Sequence, residues 1–258
     1  MSSDAVVKTS LQGSRVCIFV GLAGSGKTSL LERSFSYARS VGEVPYIMNL
    51  DPAVAQLPYE ANIDIRDTVN YKSVMKEYKL GPNGAILTSA NLFATRFDKA
   101  LSIFESRSKE HKLFFVDTPG QIEIFTWSAS GLMFTDMFTS RFKTIVLYVI
   151  DTPRCENPQV LMGNMLQAVS ILYRMRANLV LVFNKVDVTP HEPFLELLLD
   201  LNLFQCELER KDSGSFSNTL MQSLSIVLSE FYEHLDVVGV SATAGNGIGT
   251  LWHTLNKL

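Results

Sequence analysis

Four clusters of residues in this chain of 258 could do chemistry, and their order is as informative as their content. The first, Gly21-Leu22-Ala23-Gly24-Ser25-Gly26-Lys27-Thr28, has the spacing GxxxxGK[ST]. Glycines permit positive φ and close backbone approach, so successive N–H groups can cradle phosphate at a helix N-terminus. Gly24, Ser25, Gly26 and Ser29 would line that cradle. Lys27 would set a point charge on the β- and γ-phosphates, and the Thr28 hydroxyl could ligate Mg²⁺. A glycine-rich turn matching by chance is the plainer alternative, and the strand–loop–helix context argues against it. Leucine at position 22 disfavours the variant loop that carries an additional early lysine.

The second cluster is Asp117-Thr118-Pro119-Gly120, behind the apolar residues 113–116. It puts a carboxylate at the C-terminal end of a strand, where an open α/β sheet collects its ligands. Asp117 would hold the Mg²⁺ shell through water, and the Gly120 N–H would reach the γ-phosphate. Alone, the match could be an ordinary strand-end turn. The third, Asn184-Lys185-Val186-Asp187, fits NKxD. Asp187 can accept from N1–H and from the exocyclic amine of guanine, whereas adenine would leave that acceptor unpaired. Asn184 would tie this loop to the phosphate loop, and the Lys185 stem would cover the base plane. The fourth is Ser241-Ala242, placed where a backbone N–H would meet guanine O6. NKxD in isolation usually marks a solvated loop. The ordered set, each member after a strand, implies an enzyme of GTP and GDP.

Such residues need a scaffold, and the hydrophobic pattern supplies one. Apolar runs at 15–20, 44–50, 113–116, 144–150, 179–183 and 237–240 read as strands. Between them lie helical patterns: one from Gly26 with Leu30, Leu31 and Phe35 on a face, one around 161–174, and one around 220–235. Tyr71, Val74, Met75 and Tyr78 repeat at helical spacing, and Gly81-Pro82-Asn83-Gly84 is expected to end that helix. A further helix opening at Thr88 or Ser89 would carry Phe93, Phe97, Ala100 and Phe104 inward. Alternation of strand and helix predicts an α/β fold, a mostly parallel sheet with helices on both faces. We expect a mobile tail over 1–14 and one domain over 15–258, with helical insertions at about 66–110 and 124–143.

Apolar residues make up 47% of the chain and charged residues 19%, enough for a core and incompatible with wholesale disorder. A net charge of −3 argues against direct nucleic-acid binding by phosphate neutralisation. Cys17, Cys155 and Cys206 are odd in number and far apart, which fits a reducing, cytoplasmic compartment rather than a disulfide framework. The four histidines are scattered, without zinc spacing. No apolar run is long enough for a membrane span, and the first dozen residues lack the apolar stretch of a secretory signal.

At Gly81-Pro82-Asn83 the chain resembles the GPN-loop GTPases of the SIMIBI class of P-loop proteins. The resemblance runs from Val16 onward through GLAGSGKTS (21–29), NLDPAV (49–54), NIDIRD (62–67), LGPNGA (80–85), DTPGQIE (117–123), WSASG (127–131), NMLQAVSILY (164–173), FNKVD (183–187) and DVVGVSA (236–242). NLDPAV, DTPGQIE and WSASG are most similar to the largest paralogue group, linked to RNA polymerase II assembly and nuclear import. That group carries a tail beyond its GTPase core, and this sequence stops at Leu258. The resemblance implies a homodimer or a heterodimer with a paralogue, polymerase subunits or assembly factors as partners, and shuttling to the nucleus. It also implies that each GPN loop reaches the neighbour's nucleotide, where Asn83 would donate to a phosphate oxygen. Without the resemblance, GPNG reads as a β-turn closing a helix.

Hydrolysis needs an aligned water more than covalent chemistry. We assign Asp51 to the water or Mg²⁺ shell, Gln121 to orienting the water, and Glu123 to contact with water or the GPN loop. The plain alternatives are an Asp-Pro helix start for Asp51 and a solvated carboxylate for Glu123. Arg66 is the nearest cation of the insertion and is expected in a surface ion pair. No arginine stands at a recognisable finger position, so turnover should be slow. Residues 124–142 hold more large apolar groups than one stripe of a surface helix can use; about half should close the core, the rest a dimer surface or a client groove. Two functions follow: a slow GTPase switch that opens and closes a dimer, or a nucleotide-gated, chaperone-like module in which turnover is incidental. An ATP-driven enzyme would require Asp187 to point away from the base.

Overall fold

The computed structural model describes residues 13–211, 223–224 and 235–258. The tail expected over 1–14 and the helix expected around 220–235 therefore lie largely outside the described residues. Seven strands form one sheet: β1 (Arg15–Val20), β2 (Tyr46–Asn49), β3 (Ile63–Asp64), β4 (Leu113–Asp117), β5 (Lys143–Asp151), β6 (Asn178–Asn184) and β7 (Asp236–Val240). Their order is β3-β2-β4-β1-β5-β6-β7, and every pairing is parallel. The two-residue edge strand β3 carries too short a pattern to be read from sequence; the other six match the apolar runs.

Helices cover both faces, which is why the strands are apolar throughout rather than alternating. In β1, Val16, Ile18 and Val20 join one core while Cys17 and Phe19 join the other. The second, smaller core is closed by α1 (Lys27–Ser40) through Leu30 and Leu31. Ile248, Leu251 and Leu255 of the C-terminal helix (Ile248–Lys257) complete it. The larger core takes the helices between β3 and β6. They are α2 (Ile65–Thr68), α3 (Tyr71–Glu77), α4 (Pro82–Ala94), α5 (Phe97–Arg107), α6 (Ile122–Thr126), α7 (Ala129–Arg141) and α8 (Pro158–Met175). Beyond β6 come α9 (Glu192–Leu199) and α10 (Leu201–Lys211), so the C-terminal helix is α11.

The GPNG segment corrects one expectation. It does not close α3; it opens α4. Gly81 is the extended N-cap, and Pro82 takes the first helical position, where its missing N–H has no intrahelical partner to lose. Helix α3 instead ends at Tyr78, which is half exposed, and Lys79 makes the reversal at φ 52°. Thr95 and Arg96 then break the chain between α4 and α5, where one helix opening at Thr88 or Ser89 was expected. Phe93, Phe97, Ala100 and Phe104 are nevertheless all buried. The three phenylalanines pack with Phe134, Phe138 and Phe142 of the next insertion in an aromatic cluster of edge and tilted contacts.

That second insertion folds as the α6–α7 corner. Ser128 caps α7 by accepting from Gly131 N at 3.0 Å. Gly131 is required there, because a Cβ would run into the Phe125 carbonyl. Phe125, Phe134, Phe138 and Phe142 go into the core, Met133 and Met137 pack against it, and Trp127 stays half exposed against Arg174.

Candidate functional site

Because the strands are parallel, the residues after β1, β4, β5, β6 and β7 gather at one end of the sheet. Between β1 and α1 the backbone turns through Gly24 (φ 82°) and Gly26 (φ 88°), a left-handed region where glycine is needed. A Cβ on Gly26 would collide with the Asn184 amide. Ser25 is buried behind this turn, and Ser29 is exposed in the first turn of α1. Lys27 Nζ donates to the Gly21 and Leu22 carbonyls at 2.8 and 3.2 Å. Burial lowers its pKa, against the pull of Asp117 and Asp51.

Asp117 is the electrostatic centre. Its Oδ2 accepts from Thr28 Oγ1 at 2.9 Å and from Tyr59 OH at 2.7 Å, while Oδ1 is buried without a partner among the described residues. Burial pushes the carboxyl up to about 6, although the Tyr59 and Thr28 hydrogen bonds and Lys27 oppose the shift and Asp51 adds to it. Asp51 Oδ1 accepts from Ala53 N at 2.9 Å. The Asp51 carboxyl is likewise raised by burial and eased by Ala53, Lys27, the Gly120 N–H and Arg66. A hydroxyl and two carboxylates, one with an orphaned buried oxygen, are the hard oxygen donors that suit Mg²⁺, which takes one or two carboxylates and completes its shell with water and phosphate. The residues fit that ion: Thr28, Asp51 and Asp117 would hold it.

Gln121, the N-cap of α6, donates through Nε2 to Asn83 Oδ1 at 2.6 Å. The GPN loop and the segment after β4 therefore meet within a single chain. Glu123 is exposed in the first turn of α6, and among the described residues no hydrogen bond joins it to Asn83. Arg66 grips Asp64 through Nε and Nη2 and reaches the Val54 carbonyl at 3.1 Å, so its ion pair braces the loop after Asp51. Asp64 is buried, which makes this more than the surface pair expected.

At the base side one side chain joins three loops. Asn184 Nδ2 donates to the Ser25 carbonyl at 2.8 Å, and its Oδ1 accepts from Lys185 N at 2.9 Å and Ala242 N at 3.1 Å. Lys185 adopts φ 70° and donates through Nζ to the Gly24 carbonyl and to Asp151 Oδ2. Asp187 is exposed in the turn after β6. Ser241 is buried, its N–H donating to the Asn246 carbonyl and its Oγ accepting from Ala244 N. With the Ala242 N–H on Asn184, neither amide of the Ser241-Ala242 pair is free for a base oxygen.

Three participants were missed in the sequence. Asp151 ends β5 as Asp117 ends β4, so the same signal was present there. Tyr59 lies in a loop without periodicity, where nothing marks it. Arg33 stands one helical turn beyond Ser29, and only the fold shows what it reaches.

The profile of a family described as "conserved hypothetical ATP binding protein" matches residues 19–258. The GPN-loop GTPase QQT2 of Arabidopsis thaliana is 54% identical over 229 residues, 89% of this chain and 60% of that protein. GPN-loop GTPase 1 of Saccharomyces cerevisiae is 44% identical over 248 residues, 93% of this chain and 64% of the relative. This chain thus spans less than two thirds of the length of these relatives. A crystal structure of a GTPase in apo form from Pyrococcus abyssi superposes with a TM-score of 0.83 at 27% identity, covering 95% of this chain and 98% of that one. A GPN-loop GTPase of the same organism is 33% identical over 177 residues, 69% of each chain. With a phosphate loop, a strand-end aspartate and a GPN turn assembled at one end of a parallel sheet, and with these relatives, the chain belongs to the GPN-loop GTPase family.

Proposed function

We propose that this protein binds GTP and hydrolyses it slowly to GDP and phosphate as a dimer, and that its nucleotide state is coupled to assembly and nuclear import of RNA polymerase II. The observation that carries the nucleotide reading is the Asn184 junction, which locks the phosphate loop, the NKVD turn and the Ser241-Ala242 loop into one frame. Such a frame sets a base at a fixed distance from its phosphates. The family profile's description names ATP. Asp187, exposed at the mouth of the frame and able to accept two donors from one base edge, supports guanine instead. The polymerase role rests on the resemblance to the paralogue group described above.

In this reading the N–H groups of Gly24–Thr28 bind the phosphates and Lys27 leaves its carbonyl partners to meet the β- and γ-oxygens. Mg²⁺, when held by Thr28, Asp117 and Asp51, neutralises charge on those oxygens. Gln121 orients the attacking water, and its bond to Asn83 ties that water's position to the GPN loop. Glu123 lies two residues on, in the first turn of α6, and would steady the water from outside.

Calorimetric titration tests the base assignment. The parent protein should prefer GDP over ADP by at least a hundredfold, and Asp187→Asn should lose most of that preference, since each hydrogen bond lost to a charged group costs about tenfold or more. Equal affinity for GDP and ADP in the parent would refute guanine selectivity. The alternative, a nucleotide-gated binding module, draws support from half-exposed Trp127 directly after α6, the helix that Gln121 begins. Gln121→Leu separates the two: if client assembly survives when GTP binds but is not cleaved, turnover is incidental.

A further inference from the structure

Arg33 projects from the second turn of α1 onto the loop that follows β7. Its Nε donates to the Ala242 carbonyl at 3.0 Å and its Nη2 to the Thr243 carbonyl. The guanidinium lies 3.5 Å from where a Cβ on Gly245 would stand, and Gly245 itself has φ 86°. Ser29, Arg33, Ala242 and Thr243 share one cavity of about 360 Å³ beside the phosphate loop. The arginine is half-buried and has no carboxylate partner among the described residues; both of its bonds go to backbone oxygens.

A planar trans peptide points its C=O and the following N–H in opposite directions. With the Ala242 carbonyl held by Arg33, the Thr243 N–H must face away from the guanidinium. With the Thr243 carbonyl held, the Ala244 N–H faces away too, and it is taken by Ser241 Oγ. The other N–H groups of the loop are also occupied: Ser241 on Asn246, Ala242 on Asn184, Gly245 on the Ser241 carbonyl. Among the described residues, the Thr243 N–H is the one backbone N–H of 241–245 without a partner. Guanine presents an acceptor at O6 where adenine presents a donor at N6. A loop whose Ser241, Ala242 and Thr243 carbonyls are tied back and whose spare backbone group is an N–H accepts the first and repels the second.

We propose that Arg33 is a specificity-positioning residue: by clamping the Ala242 and Thr243 carbonyls it fixes the peptide planes of this loop, so that the Thr243 N–H, and no carbonyl, meets the 6-position of the bound base. Without the clamp the Ala242–Thr243 peptide can flip and offer a carbonyl, which is the partner adenine wants. The fork of an arginine suits two adjacent carbonyls; lysine supplies a point charge without that geometry. The inference rests on the guanine reading and goes beyond it, since it assigns discrimination at the 6-position to a residue that need not touch the nucleotide.

The test measures affinities of the full chain for GDP, IDP and ADP by calorimetry, for the parent, Arg33→Ala and Arg33→Lys. IDP keeps O6 and lacks the 2-amine, so it separates this contact from that of Asp187. Arg33→Ala should weaken GDP and IDP equally, by about tenfold or more for one lost hydrogen bond to the base, and leave ADP unchanged or tighter. Arg33→Lys should fall between, and it decides the matter if the alanine variant does not fold by circular dichroism. Equal weakening of all three nucleotides would make Arg33 a merely structural clamp, and no change in either folded variant would remove its role; both results overturn the proposal. A parent that binds ADP as tightly as GDP overturns the guanine reading itself, and this inference with it.

Discussion

The most consequential single group is Asp117. Its folded carboxyl titrates near 6, above the usual carboxylate value near 4. A raised acid means that the folded protein binds the proton more readily than the unfolded chain, so its contribution to stability is most favourable below about pH 4 and is lost as pH rises through 6. In the presence of a chelator the ionised, buried carboxylate should cost on the order of 3 kcal/mol at pH 7. Asp117→Asn keeps an oxygen to accept from Tyr59 and Thr28 and removes the charge. We expect it to melt higher than the parent at pH 7 in chelator and to show a flatter melting profile between pH 4 and 6. Mg²⁺ with GDP should raise the parent's melting temperature and leave the variant's nearly unmoved; the same rise in both would remove Asp117 from the metal shell. This aspartate was legible in the sequence because its strand-end position comes with the Asp117-Thr118-Pro119-Gly120 turn downstream of a phosphate loop, whereas Asp151 shares only the strand end. Its partner Tyr59 was not, because a buried tyrosine in an aperiodic loop looks like any other aromatic until the fold brings its hydroxyl to a carboxylate.

Among the elements, the α6–α7 corner links chemistry to packing. Gln121 begins α6, and Gly131 in α7 lets the two helices meet at the Phe125 carbonyl. Gly131→Ala sets two effects against each other. Alanine favours a helix by about 1 kcal/mol over glycine. The new Cβ overlaps a backbone carbonyl that cannot rotate aside, and such overpacking costs about 1–3 kcal/mol. Backbone displacement puts the cost at the upper end, so we expect a net loss of about 1–2 kcal/mol and a drop of a few degrees in melting temperature. The displaced α6 carries Gln121 with it, so hydrolysis should fall while GDP affinity holds. Unchanged melting and turnover would show that the corner adapts freely. The apolar crowding of this segment was plain from sequence, and so was the inward face of α4 and α5. What could not be read was the direction of the GPNG signal. Proline followed by asparagine and glycine suits the end of one helix and the start of the next equally well by local propensity, and the choice falls to whether Ala85, Ile86 and Ala90 have a core to enter.

At the scale of the whole molecule, the proposed dimer makes Asn83 the residue to watch. Its Oδ1 accepts from Gln121 of its own chain, which leaves the amide N–H groups of this exposed side chain to donate elsewhere. We expect Asn83 to serve the site of the neighbouring subunit. Mixing Lys27→Ala with Asn83→Ala, each inactive alone, should then restore up to about half the parental activity per heterodimer, because one complete site forms and its groups act as a unit. Subunit exchange is verified by native mass measurement; no rescue after proven exchange would confine Asn83 to its own chain. The one-way sheet has a practical corollary. All of the reactive loops leave from one rim, while the opposite rim is closed by plain joints such as Arg15 Nη1 on the Leu255 carbonyl and Ser14 Oγ on Ser108. Lys109 lies on that quiet rim, exposed, between α5 and β4. A single dye or surface tether placed there as Lys109→Cys, with exposed Cys206 changed to serine, gives the molecule a handle at the end remote from its reagents.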